Sequence, residues 1–373
     1  MTQSTERHSA GTAAPTGRLR RGGTQQQPMA NVFKRLGLER FALIGVWILL
    51  IIVFSILRPS TFPTAGNLQT ILGSQAVQAV VALALLLPLI TGDYDLSVAS
   101  TASLSAMTVT VLNVNEGWPI LLAIVAGVLV GALVGLVNGS LSALLGLDPF
   151  IITLGMGTLL IGVVSWISSD LTISGIDQGL VNAMIVDRLF GVPAEFYYGA
   201  VICALLWYLF EFTPLGRRLL YVGRSRDVAR LSGIRVSRLR LAAFIGSGTL
   251  SAIAGVMYAG TLGGANPSSG TDLLLPAFAA VFLGATCISP GRFNPWGTLI
   301  AVYFLVTGIT GLQLLGAQSY VQSLFSGGAL IVAVTVSFLV RRRAAARTSV
   351  NDRTAAVPLE GSATELATND EDL

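Results

Sequence analysis

Apolar residues in this chain run in long unbroken stretches, separated by short polar breaks, rather than at the spacings of three and four that mark a half-buried helix. A stretch of about 18 to 20 apolar residues matches the helical path through a hydrocarbon layer about 30 Å thick. The breaks give about ten such spans, at roughly 41–57, 70–91, 98–113, 119–145, 149–168, 195–211, 241–261, 273–289, 297–315 and 319–340. The pattern predicts an all-α polytopic membrane protein. Its weakest span is 98–113, which is short and reads also as a re-entrant or broken helix.

The polar breaks alternate in charge. If the N-terminus is cytoplasmic, every second connection should be basic, because Lys and Arg are retained on that side. On it fall the leader with Arg18, Arg20, Arg21, Lys34, Arg35 and Arg40, the stretch 215–240 with eight arginines and the single acid Asp227, then Arg292, and Arg341 to Arg343. The opposite side holds only Arg58 and Arg188, among Glu116, Asp170, Asp177, Asp187 and Asp272. This partition predicts an even number of spans with both termini cytoplasmic. No small-residue cleavage site closely follows the first apolar run, so that run reads as an anchor rather than a removed signal peptide. The chain divides into a mostly disordered leader, 1–40, a membrane domain, 41–340, with a large cytoplasmic loop at 212–240, and a disordered tail, 341–373. Composition agrees: 53% of residues are hydrophobic, 11% are charged, and the mean hydropathy is +0.73.

Residue supply excludes several chemistries. His8 is the only histidine and Lys34 the only lysine. An intramembrane serine hydrolase with a histidine base, a zinc site with His ligands and a Ser-Lys dyad all lack their parts. A Gly-x-x-x-x-Gly-Lys phosphate loop is impossible because Lys34 follows Phe33. No catalytic residue and no metal site are assigned. Cys203 and Cys287 lie in separate spans and read as buried small apolar residues rather than a disulfide. Asp93 and Asp95 lie at a break between apolar runs; a paired-aspartate intramembrane protease would need a second motif, and the nearest candidate is Ser269-Gly-Thr-Asp272. Asp148, before Pro149, has the position of a helix N-cap.

Inside the spans the polar groups are neutral. Gln75, Gln78 and Thr153, with Asn138 and the break residues Asp95 and Ser97, make a candidate pathway or gate set suited to an uncharged hydrogen-bonding solute. The same residue types also serve as glue between helices. Gly127, Gly131, Gly135 and Gly139 recur every four residues and place a smooth ridge on one helix face, where another backbone can approach.

Within the basic loop, Ser225 has the position of an N-cap, Asp227 lies where the helix dipole favours negative charge, and Gly233 can end the helix in the left-handed conformation. A capped rod of about two turns is expected over Ser225, Arg226, Asp227, Val228, Ala229, Arg230, Leu231 and on to Gly233. The run Asp227-Val-Ala-Arg-Leu-Ser-Gly233 resembles the Glu-Ala-Ala-x-x-x-Gly signature that binding-protein-dependent ATP-binding-cassette (ABC) permeases present to their ATPase partner. Around it, Phe62-Pro-Thr-Ala-Gly-Asn67, Asp95-Leu-Ser-Val98, Gly135-Leu-Val-Asn-Gly139, Pro149-Phe-Ile-Ile-Thr-Leu-Gly155 and Thr213-Pro-Leu-Gly-Arg217 fall in the order of the ribose-type branch of these permeases. The resemblance spans roughly 41–340. It departs at two turns. The family usually reads Gly-Gly-Ile-Asp-Leu-Ser-Val-Gly where this chain has Gly92-Asp-Tyr-Asp-Leu-Ser-Val-Ala99, which adds a charge and a phenol. Likewise a Gly-Gly-Thr-Ser-Leu-x-Gly-Gly turn is replaced by Gly284-Ala-Thr-Cys-Ile-Ser-Pro-Gly291.

The resemblance implies a permease subunit of an importer in the bacterial cytoplasmic membrane, moving a small uncharged polar solute such as a monosaccharide, polyol or nucleoside. It implies ATPase subunits that carry the ATP and Mg this chain does not bind, an external solute-binding protein, and a second permease, identical or not, in a lipid setting without nucleic acid. A self-sufficient secondary carrier is the alternative from another class, and the intramembrane aspartyl protease a more distant one.

Overall fold

The computed structural model describes residues 38–336; residues 1–37 of the leader, the last residues of the tenth expected span and the tail, with the charges and disorder expected there, lie outside the described residues. The described chain is built almost entirely of helices. The first is α1 (Ala42–Leu57), then α2 (Ala65–Ser74) and α3 (Ala76–Ile90), which meet at a break on Gln75. The second apolar stretch therefore begins at Ala65, earlier than residue 70, because Thr64 caps α2 by accepting from the Asn67 amide at 3.3 Å.

Helix α4 (Val98–Thr110) continues through a π turn to Asn115, and α5 (Ile120–Gly139) through another to Leu144. The short fourth element thus reaches about 27 Å at 1.5 Å per residue. α6 (Pro149–Ser168) starts at Asp148, whose carboxylate accepts from the Phe150 and Ile151 amides, with Pro149 in the first turn. A connection follows with β1 (Ile173–Ser174), α7 (Gln178–Val181) and the hairpin β2 (Arg188–Leu189) and β3 (Val192–Pro193).

Next come α8 (Ala194–Phe212), α9 (Pro214–Arg224), α10 (Arg226–Leu231) and α11 (Val236–Leu262). β4 (Gly264–Ala265) then pairs antiparallel with β1, Ile173 opposite Ala265, so that the connections at that end are tied together. The last three helices are α12 (Leu274–Gly284), α13 (Pro295–Leu314) and α14 (Tyr320–Val336).

Two boundaries need correction. The connection 212–240 is mostly helical, with α9 filling its first half, and α11 begins at Val236 rather than 241. The span expected at 273–289 stops as a helix at Gly284, where Asn294 turns the chain by donating to the carbonyls of Gly284 and Cys287. The short ladders were not foreseen, since two-residue strands leave no alternating pattern.

Among the described residues, six helical segments are long and apolar enough to cross a membrane, and three shorter apolar helices accompany them. Leu121, Leu129, Ile151, Leu205 and Ile331 point outward with most of their surface exposed, an apolar belt that fits lipid. The centre is α3, every residue of which is buried, packed against α8, α11, α12 and α13. The glycine ridge of α5 explains the closest helix pair. A Cβ on Gly131 or Gly135 would strike the α11 backbone at Gly248 or Phe244; one on Gly127 would come within 2.6 Å of Val109 on α4. Only hydrogen in place of a side chain lets these backbones meet, which supplies the packing that lipid does not.

Candidate functional site

At the basic end, α8 turns into α9 over a pivot that requires small residues. Thr213 donates to the Leu209 carbonyl at 2.6 Å and accepts from the Gly216 amide at 3.1 Å, while Gly216 lies directly on the Leu209 and Phe210 backbone. α9 buries Leu219 and Val222 and turns Arg217, Arg218 and Arg224 outward. Gly223 brings it against the carbonyl of Ile90, at the end of the central helix α3.

α10 follows. Ser225 accepts from the Val228 amide at 3.4 Å, and the helix closes with Gly233 at φ +77°, whose amide donates to Arg230 while that of Ile234 donates to Ala229. Six residues are too few to hold a helix alone. Ala229 provides the anchor, fully buried with Val222 of α9 and Val236 of α11, flanked by Ile234 and Leu239. On the opposite face Val228 is 48% exposed and Leu231 89% exposed. An aliphatic pair three residues apart, facing outward among arginines, is a surface suited to a partner rather than to water.

A second hold on α10 comes from Asp93, whose side chain is completely buried. Arg240 of α11 grips it with two bonds, Nε to Oδ2 at 2.7 Å and Nη2 to Oδ1 at 2.8 Å. Arg226, the first residue of α10, reaches Oδ1 at 2.7 Å and also the carbonyls of Thr91 and Gly92 at 3.2 and 3.0 Å. One carboxylate therefore joins the α3–α4 turn to both helices that flank Gly233.

Two residues on, Asp95 is buried in a different network. It accepts from the Ser97 amide at 3.0 Å, the Ser97 hydroxyl at 2.6 Å and the Ser247 hydroxyl of α11 at 2.9 Å. Asn138 of α5 donates to the Ser97 hydroxyl at 2.8 Å, and Thr153 of α6 accepts from the Leu96 amide at 3.0 Å. Burial pushes the Asp95 carboxyl above its ordinary value; the hydrogen bonds from Ser97 and Ser247 oppose that shift without cancelling it. Asp272, by contrast, is exposed in the turn before α12 and takes no part in the buried Asp95 network.

The candidate gate set is thus divided. Asp95, Ser97, Asn138 and Thr153 form one knot, whereas Gln75 and Gln78 lie in a cavity of about 300 Å³. Gln78 donates to the Leu273 carbonyl at 3.0 Å. Thr310 and Gln313 of α13 and Gln322 and Ser326 of α14 share the cavity, and no charged side chain lines it among the described residues. Ser326 carries a buried hydroxyl with no hydrogen-bond partner among the described residues. Sequence reasoning missed these four and missed Asp93. The cavity residues come from distant helices, but Asp93 had a signal in the charge it adds to the turn.

Residues 67–334 match the family model described as the permease component of a branched-chain amino acid transport system. The chain belongs to this permease family. The ribose import permease protein of Bacillus subtilis is 34% identical to this permease over 305 residues, covering 82% of the chain and 92% of that relative. The D-allose transport system permease protein of Escherichia coli is 29% identical over 304 residues, covering 82% and 93%. An autoinducer 2 import system permease protein of Photorhabdus laumondii is 32% identical over 311 residues, covering 82% and 92%. No solved structure matches the permease. The family description and the relatives name different solutes, so membership places this chain as a transmembrane transport subunit without choosing its cargo.

Proposed function

We propose that this permease is the membrane subunit of an ATP-binding-cassette importer in the bacterial cytoplasmic membrane, with ATP hydrolysed on separate subunits. The observation that carries the reading is α10: a capped, anchored helix that exposes Val228 and Leu231 at the arginine-rich end. Arg217, Arg218, Arg224, Arg230, Arg235 and Arg238 form no ion pair among the described residues, leaving a positive surround for a docked ATPase. Ten helical passages, counting α2 with α3, would place α10 and both termini in the cytoplasm. A second permease, identical or not, and an external binding protein complete the assembly.

The cargo we assign is a small uncharged polar solute of the monosaccharide, polyol or nucleoside kind. The cavity lined by Gln75, Gln78, Thr310, Gln313, Gln322 and Ser326 supports it, since amides and hydroxyls recognise hydroxyl groups while the absence of charge gives an ion nothing to pair with. Names of relatives that import ribose and transport D-allose point the same way.

Leu231→Glu tests the docking. It places a carboxylate at the most exposed point of α10 without touching Ala229, so the permease should fold normally while ATPase recovered with it falls at least tenfold. Unchanged ATPase recovery would remove α10 from the interface.

A further inference from the structure

We propose that Asp93 is a positioning residue that converts displacement of α10 into displacement of the membrane helices; this rests on the reading of α10 as the ATPase-facing helix. Its carboxylate is the one buried ion-pair acceptor among the described residues, and its two arginines come from α10 and α11. The turn it belongs to is bonded to four other helices, α5, α6, α10 and α11. Arg226 binds the Thr91 and Gly92 carbonyls as well as Asp93, and the same turn leads through Asp95 to Ser247 of α11, through Ser97 to Asn138 of α5, and through Leu96 to Thr153 of α6. Upstream of it lies α3, buried over its whole length.

A pull on α10 therefore reaches α3 and α4 through a charged bond in addition to the apolar anchor at Ala229. Apolar contacts slide, because they are non-directional. A buried carboxylate held by two guanidinium groups has fixed, directional geometry, and withdrawing Arg226 breaks its bonds to Asp93 and to the Thr91 and Gly92 carbonyls while Asp93 stays paired with Arg240. The two arms are not equivalent. Arg240 is 11% exposed and makes two bonds, which suits a permanent tie, whereas Arg226 is 38% exposed and is the only arm on α10.

The test uses the complete transporter in proteoliposomes, measuring radiolabelled ribose or another solute that the wild type takes up, and phosphate release in the same vesicles. Its readout is solute taken up per ATP hydrolysed. Arg226→Ala severs the α10 arm and leaves Asp93 paired with Arg240; the ratio should fall at least tenfold. Arg226→Lys keeps a cation within reach of Oδ1 and should restore the ratio to within threefold of wild type. A merely structural ion pair predicts that uptake and hydrolysis fall together, with the ratio within twofold of wild type, and that result overturns the proposal. So does a Lys variant no better than Ala. A wild-type complex that hydrolyses ATP without any uptake instead sinks the importer reading itself.

Discussion

Replacing Asp95 separates a structural knot from a chemical centre. Asp95→Ala leaves the Ser97 amide, the Ser97 hydroxyl and the Ser247 hydroxyl without their acceptor in a buried site. An orphaned buried polar group costs about 1–3 kcal/mol, but hydroxyls can rotate toward other carbonyls and interhelical bonds in membranes average only about 0.6 kcal/mol. The balance is a loss of ~2–4 kcal/mol, or a thermal midpoint lower by ~5–10 °C. Asp95→Asn keeps an oxygen for the two Ser97 donors and turns an amide toward Ser247, whose hydroxyl can accept instead. Its loss should be under ~1 kcal/mol.

Burial raises the Asp95 carboxyl, so the fold favours the protonated group. Its stabilising contribution is complete below the ordinary carboxylate range near pH 4 and is lost as pH rises through the raised folded value. Asn cannot ionise, so the variant should gain on wild type as pH increases from about 4 to 8. Thermal unfolding in detergent across that range measures both effects. An Asn variant as damaged as Ala, or one that loses ground to wild type as pH rises, would refute the reasoning.

Three further glycines probe the scaffold. Gly135→Leu drives a side chain into the α11 backbone at Phe244, an overpacking cost of at least ~1–3 kcal/mol, whereas Gly45→Ala, with nothing within 4 Å of its Cβ, should be neutral in the same thermal assay. Gly233→Ala forces φ +77° on a residue with a Cβ, costing about 1–2 kcal/mol in the α10 cap alone; Gly233→Asn should recover much of it, and ATPase co-purification should follow the same order.

How much of this was legible in the sequence depended on whether solvent or geometry set the pattern. Lipid demands length, so the apolar helices, the α5 ridge from Gly127 to Gly139 and the caps at Asp148 and Ser225 could be read from residue type and spacing. α9 could not, because its arginines suit a topology signal as well as they suit an amphipathic helix. The start of α11 was misplaced for a related reason: Arg238 and Arg240 argue against helix at a membrane edge unless a buried acid receives one of them, and Asp93 lies far away in sequence. The end of α12 was hidden because Ala285, Cys287 and Ile288 prolong the apolar run into a turn, where Ile288 adopts φ +61° and its amide bonds Arg40. Polar residues posed the hardest problem. Gln75, Gln78, Asp95 and Asn138 look alike along the chain, and only packing shows that two line a cavity while two are consumed in a knot.

On the proposed function, the permease draws its energy from partner ATPases through α10 rather than from a source of its own. Solute accumulation in proteoliposomes tests that most directly, comparing the purified permease with the permease plus its ATPase, binding protein and ATP. The permease alone should accumulate nothing, with or without an imposed ion gradient, and the complete set should accumulate solute only with ATP. Gradient-driven accumulation by the permease alone would contradict it and establish a secondary carrier.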